Sequence, residues 1–137
     1  MFSTIYSGAV CGLQAYLIRV EVDLAGGLPA FLMVGSLGSE VRESRERVCV
    51  AMKNSGFQIP PGHITVNLAP ADRRKDGTAF DLPIAIGLLQ DMELLKEDAV
   101  KDTLFLGELG LNGEIKKAKG VLPIVREATH RGIHRVI

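Results

Sequence analysis

The stretch Asp81-Leu82-Pro83-Ile84-Ala85-Ile86-Gly87-Leu88-Leu89 constrains the fold more than any other part of this sequence. From Leu82 onward it carries no charge, so a helix built from it is apolar almost all round. Such a helix has no face for water and belongs at the centre of a domain. Asp81 reads as its N-cap, and Pro83 is tolerated because the first turn has no use for the N–H it lacks. The stretch is also the longest apolar run, far short of the ~20 residues that cross a bilayer, so no membrane partner is expected. The 137 residues suffice for one real core but not two. With 47% hydrophobic and 23% charged residues, the composition is that of an ordinary globular domain and excludes disorder. Sixteen basic side chains balance 16 acidic ones. Nothing therefore pulls the whole chain toward nucleic acid, and any such binding needs a local patch.

The first third reads as β-structure. Ile5 to Val10 is a strand, and Gln14 to Leu24 alternates in its middle, with Leu17, Arg19, Glu21 and Asp23 against Ile18, Val20, Val22 and Leu24. Gly26-Gly27 turns the chain into Ala30 to Val34. An amphipathic helix follows. Leu37, Val41, Val48 and Met52 form one stripe, Arg42, Glu43, Arg45, Glu46 and Lys53 cover the rest, Ser39 caps the start and Gly56 ends it. Glu43 and Arg47 stand i,i+4 in the favourable orientation. Ile64 to Leu68 is a short strand, and Ala69 to Phe80 a long polar loop. Thr103 to Leu109 and Glu114 to Ala118 are expected to pair across Gly110-Leu111-Asn112-Gly113, because Asn-Gly favours a hairpin turn. A last helix runs from Val121 to His130 and stops at Gly132, and Ile133 to Ile137 opens another strand. No linker, repeat or low-complexity run divides the chain, so residues 1–137 are expected to form a single domain. Ending on an apolar strand, the chain reads as truncated at its C-terminal end. The order βββαβαββαβ is that of an α+β domain with helices packed on a mixed sheet.

Gly35-Ser36-Leu37-Gly38 leading into Val41-Arg42-Glu43-Ser44 resembles the opening of the Lon protease proteolytic domain. Lys75-Asp76-Gly77, just before the apolar helix, resembles the segment that bears Lon's nucleophile. Gly107-Glu108-Leu109, Asn112-Gly113 and His130-Arg131-Gly132-Ile133 resemble that domain's closing third. Closer still is the resemblance to the amino-terminal domain of the magnesium-chelatase-related AAA+ ATPases, the group that contains competence protein ComM. Asn67-Leu68-Ala69-Pro70-Ala71-Asp72, Phe80-Asp81-Leu82-Pro83-Ile84-Ala85 and Gly107-Glu108-Leu109 look like signatures of that family. The motifs follow one collinear order over essentially the whole chain. The resemblance implies a fold like domain 2 of ribosomal protein S5, shared with the Lon proteolytic domain. It also implies a longer parent with its own AAA+ domain beyond Ile137, forming a ring-shaped, DNA-remodelling motor. ATP and magnesium are expected only for that missing ATPase domain, since no G-x-x-x-x-G-K-[ST] loop occurs here.

A Lon-type peptidase is the sharpest chemistry this resemblance implies. It needs a Ser nucleophile and a Lys desolvated enough to act as base. Aligned on Lys75-Asp76-Gly77, the nucleophile position is Ala79, which has no atom that attacks. Counted from Gly107-Glu108, and again from Gly132-Ile133, the base position is Leu122, which has no proton to exchange. Thr78 and Lys119 stand near these positions, but a shift of ~1 Å already spoils catalysis. Thr78 and Asp76 read instead as loop and cap chemistry. No catalytic residue is therefore expected in this chain. A metal site is not expected either. Gly132 separates His130 from His134, His63 sits in a turn after Pro60-Pro61, and no Cys/His cluster has ligand spacing. Cys11 and Cys49 are too few for a disulfide framework and read as free thiols of a reducing compartment, so a cytoplasmic location is expected.

Two basic clusters remain: Arg73-Arg74-Lys75 in the long loop, and Lys116-Lys117 with Lys119 after the hairpin. The first is the nucleic-acid candidate, although Asp72 and Asp76 dilute its field. Arg73, Arg74 and Lys75 offer cations to phosphates, which position a strand without reading its sequence. Three functions stay open: an assembly module of a homo-oligomeric ring, a DNA-binding module, and a Ser/Lys peptidase. Ala79 and Leu122 disfavour the last.

Overall fold

Alternation of apolar and polar residues builds the first hairpin, and backbone pairing carries it beyond the alternating residues. In the computed structural model, which describes residues 1–137, β1 (Phe2–Cys11) and β2 (Gln14–Ala25) pair antiparallel from Phe2↔Asp23 to Cys11↔Gln14. The reversal between them passes through Gly12, whose φ of 63° suits a residue without a side chain. β3 (Ala30–Val34) lies parallel to β4 (His63–Ala69), and β4 lies antiparallel to β2. On the other side β5 (Thr103–Leu104) runs parallel to β1. β6 (Glu108–Leu109) and β7 (Ile115–Lys116) form a separate two-stranded ribbon, and β8 (Arg135–Val136) closes the main sheet parallel to β5. The main sheet has the order β3-β4-β2-β1-β5-β8 and mixes parallel with antiparallel neighbours. With its helices this is an α+β architecture.

The amphipathic stretch folds as two pieces, α1 (Ser39–Arg42) and α2 (Ser44–Asn54), with Glu43 between them. Its stripe of Leu37, Val41, Val48 and Met52 is buried as expected, and Gly56 follows the end with a φ of 90°. Ser39 is not the cap: Gly38 holds that position and Ser39 is the first helical residue. Asp81 is likewise displaced from its expected role. Phe80, almost wholly buried, takes the cap position of α3 (Asp81–Asp91), and Asp81 begins the helix with its carboxylate engaged elsewhere. The apolar helix is central, as its composition demands, with Ile84 and Leu88 fully buried. Gly87 lets it approach the hairpin, because a Cβ there would stand 2.6 Å from Val22 Cγ2. A core of 21 buried residues forms where α1, α2 and α3 cover this face of the sheet.

A short helix absent from the sequence reading, α4 (Glu97–Val100), precedes β5. The expected strand from Thr103 to Leu109 is divided. Gly107 donates its N–H to Ala79 O at 3.0 Å and accepts from Leu82 N at 3.0 Å, which draws the chain out of the main sheet after Leu106. Only Glu108–Leu109 then pairs across the Asn-Gly turn, and the final strand shortens to β8. Helix α5 (Val121–His130) packs on the opposite face of the sheet from α3. Alternation along β1 explains this: Ser3 and Ser7 bond toward α3 and Phe105, while Gly8, one residue on, faces Ile124 of α5. The core on this side is small, with Leu104, Leu106, Ile124 and Ala128 buried together. No helix is long and apolar enough to cross a membrane.

Candidate functional site

The segment read as one polar loop, 69–80, is pinned to the body of the domain. Lys75 N donates to Ser36 O at 3.0 Å and Lys75 O accepts from Gly38 N at 2.8 Å, bridging the loop to Leu37. This turns the three adjacent cations in different directions. Lys75 points inward and is fully buried, its ammonium donating to Gly35 O at 2.6 Å and to Pro70 O. Burial pushes this ammonium below the usual lysine range, with Asp72 pulling weakly the other way. Lys75, expected beside Arg73 and Arg74 as a nucleic-acid contact, therefore shares no surface with them; buried, it clamps the loop. Arg74 is exposed and donates to Asp76 Oδ1 at 3.0 Å, a surface ion pair open to water on both sides. Arg73 makes no ion pair; its guanidinium carbon sits 3.8 Å over the centre of the Tyr16 ring.

Arg73 opens into a groove of about 740 Å³ that runs between the start of β2 and α5. Two further arginines, Arg126 and Arg131, line it with His130, all carried by α5 and its C-terminal end. Arg126 is exposed and has no ion-pair partner, whereas Arg131 donates to Glu127 Oε1 at 3.0 Å. Three arginines thus face one glutamate in a chain of zero net charge. Leu13, wholly exposed, and Leu122, 81% exposed, supply the apolar part of the rim. Sequence reading missed Arg126, Arg131 and Tyr16 because they lie far from Arg73 along the chain and only the fold gathers them. The one available signal was the i,i+4 spacing of Leu122, Arg126 and His130, which puts them on one stripe of a helix.

The positions aligned with the Lon pair are apart in character as well as in residue type. Ala79 is half-buried against the small core beneath α5, while Leu122 projects into the groove. No hydrogen bond joins Thr78 to Lys119, which is exposed. The best-bonded carboxylate lies elsewhere. Asp81, fully buried, accepts from Ser44 Oγ at 2.5 Å, Arg47 Nε at 2.6 Å, Arg47 Nη2 at 3.0 Å and Leu109 N at 3.0 Å. Arg47 therefore pairs with Asp81 and not with Glu43 as its spacing suggests, and this bond pushes the guanidinium further up. Every acceptor of Asp81 is committed, so the cluster ties α2, α3 and β6 together and leaves nothing free for substrate.

Cys49 is half-buried and burial pushes its thiol up, which fits a packed and unreactive side chain; Cys11 is exposed. No group of three or more His, Cys, Asp or Glu side chains converges to hold a metal ion. His130 ends α5 and His134 lies beyond Gly132, outside the helix. These residues do not fit magnesium.

Residues 20–137 match the family described as subunit ChlI of Mg-chelatase. Competence protein ComM of Haemophilus influenzae is 44% identical over 124 residues, covering 90% of this chain and 24% of that protein. The uncharacterized protein YifB of Escherichia coli is 41% identical over 130 residues, covering 95% of this chain and 26% of its own length. The uncharacterized protein Rv2897c of Mycobacterium tuberculosis is 35% identical over 132 residues, again 26% of its length. The chain spans about a quarter of the length of the curated relatives it matches. A match over most of the chain, reached independently through these relatives, places it in the Mg-chelatase subunit ChlI family, in the group of ComM and YifB.

Proposed function

We propose that this chain is a domain without catalysis of its own in a magnesium-chelatase-related AAA+ ATPase, and that it helps a DNA-remodelling motor hold its nucleic acid. One observation carries the reading: where a Lon-type domain would place its base, Leu122 stands in a groove that also holds three arginines. A S5 domain 2-like fold and a cytoplasmic location belong to the same proposal, as do ATP and magnesium at the parent's own ATPase domain. Of the loop cations, Arg73 and Arg74 remain the DNA candidates. The test is made in the full-length parent with Arg73→Ala/Arg74→Ala. ATP hydrolysis without DNA is expected to be unchanged, and its stimulation by DNA to weaken about tenfold at moderate salt. Undiminished stimulation overturns the reading.

Ring assembly is a second reading, favoured by β3. This edge strand reads Ala-Phe-Leu-Met-Val, with no proline or charge to blunt it, and Leu32 and Val34 are half-exposed on the face away from α3. Apolar edge strands of this kind invite pairing with another chain, although Arg42 and Arg45 stand beside this one. A Ser/Lys peptidase is the least supported reading. No labelling by a serine-reactive probe is expected, and labelling lost in Thr78→Ala would revive it.

A further inference from the structure

We infer that the groove between the start of β2 and α5 is the path of a single nucleic-acid strand, with Arg73 and Arg126 contacting its phosphates. The inference rests on the DNA-holding reading above and specifies the surface and the form of the ligand.

Three features of the groove point to this occupant. First, its two unpaired arginines come from elements far apart in sequence, one from the 69–80 loop and one from α5, and face the same open space. An extended polyanion can reach both. Second, Arg73 is held 3.8 Å over the Tyr16 ring, so its side chain is already positioned and loses little freedom when a phosphate or a base meets it. An arginine fixed on an aromatic ring is also a platform on which an unpaired base stacks. Third, Leu13 and Leu122 stand exposed at the rim. They offer apolar contact to base faces that a duplex keeps stacked inside itself. A purely acidic chain such as polyglutamate would satisfy the arginines but leave the platform and the leucines without partners.

The experiment is fluorescence anisotropy of a short labelled oligothymidine against this chain, at about 50 and about 200 mM salt, where phosphate contacts separate from other binding. Arg73→Ala/Arg126→Ala is expected to weaken binding about tenfold or more and to flatten the log–log salt slope by about 1.4, at ~0.7 per lost phosphate contact. Both arginines are exposed, and circular dichroism of the variant checks that it folds. Lys116→Ala/Lys117→Ala, on the separate ribbon, is expected to bind as the parent sequence does. Equal binding of a duplex of the same length overturns the single-strand assignment. Equal competition by polyglutamate or inorganic phosphate overturns the nucleic-acid assignment. Binding that survives Arg73→Ala/Arg126→Ala overturns the groove and leaves the DNA-holding reading standing. No binding at low salt overturns both.

Discussion

Asp81 has no exposed surface, and four donors reach its two oxygens. Removing the cation alone strands a buried carboxylate, so Arg47→Ala is expected to cost about 3–5 kcal/mol in urea unfolding. Ser44→Ala, which leaves the charge paired, is expected to cost about 1–2 kcal/mol. Asp91 presents the opposite case. It is buried at the end of α3, and neither carboxylate oxygen has a hydrogen-bond partner. Burial pushes it up to about 6, with the charge of the Met1 amine pulling it back down and that of Asp23 adding to the rise. The folded chain therefore holds this proton more tightly than the unfolded chain does. The stability linked to it is complete below about pH 4 and is lost as pH rises through about 6. Asp91→Asn is expected to gain roughly 1–2 kcal/mol at pH 7 and nothing near pH 3.5, as read by urea unfolding at both pH values. At this scale the sequence announced residue types but not partners. Asp81 is visible as a residue suited to a helix start, yet Ser44 and Arg47 lie 37 and 34 positions away from it. Lys75 carries the same lesson, since nothing local distinguishes a clamp from a solvated cation.

Elements with a long periodic pattern were legible, and elements defined by a few hydrogen bonds were not. The alternation of β2 and the apolar wall of α3 each repeat over enough residues to fix their place. By contrast, β5 and β6 are two residues each, and their separation depends on how Gly107 pairs with Ala79 and Leu82. The same limit applied to the candidate site. Arg73 was found in a local cluster, whereas Arg126 and Arg131 joined it only through the packing of α5 on the sheet. That packing depends on Gly8, where a Cβ would stand 2.5 Å from Ile124 Cγ2. Gly8→Ala is expected to destabilise the domain by about 1–3 kcal/mol through overpacking. In an Ile124→Ala background, which lacks the clashing Cγ2 and Cγ1, Gly8→Ala should cost little further. A thermal unfolding series of the single and double variants checks this coupling.

At the scale of the whole molecule, the sheet has two edges and two unequal faces. The longer of its two edges is β3, the other being the two-residue β8; if β3 joins copies of this domain, a charge on it must separate them. Leu32→Glu is expected to abolish concentration-dependent association in sedimentation velocity while leaving the melting temperature within a few degrees, because the side chain is half-exposed. Association that persists in the variant removes β3 from the interface. Family membership was legible at this scale because several motifs kept one order, although no single motif would have carried it. The unequal faces have a further consequence. Helices α1, α2 and α3 share a core of 21 buried residues, but α5 rests on a core of four. Local opening follows the amount of apolar contact to be broken, so the amides of α5 should exchange with deuterium well before those of α3. The helix that walls the arginine groove is thus expected to come away from the sheet before α3 does. A strand lying across it would register as slowed exchange in α5 with no change in α3.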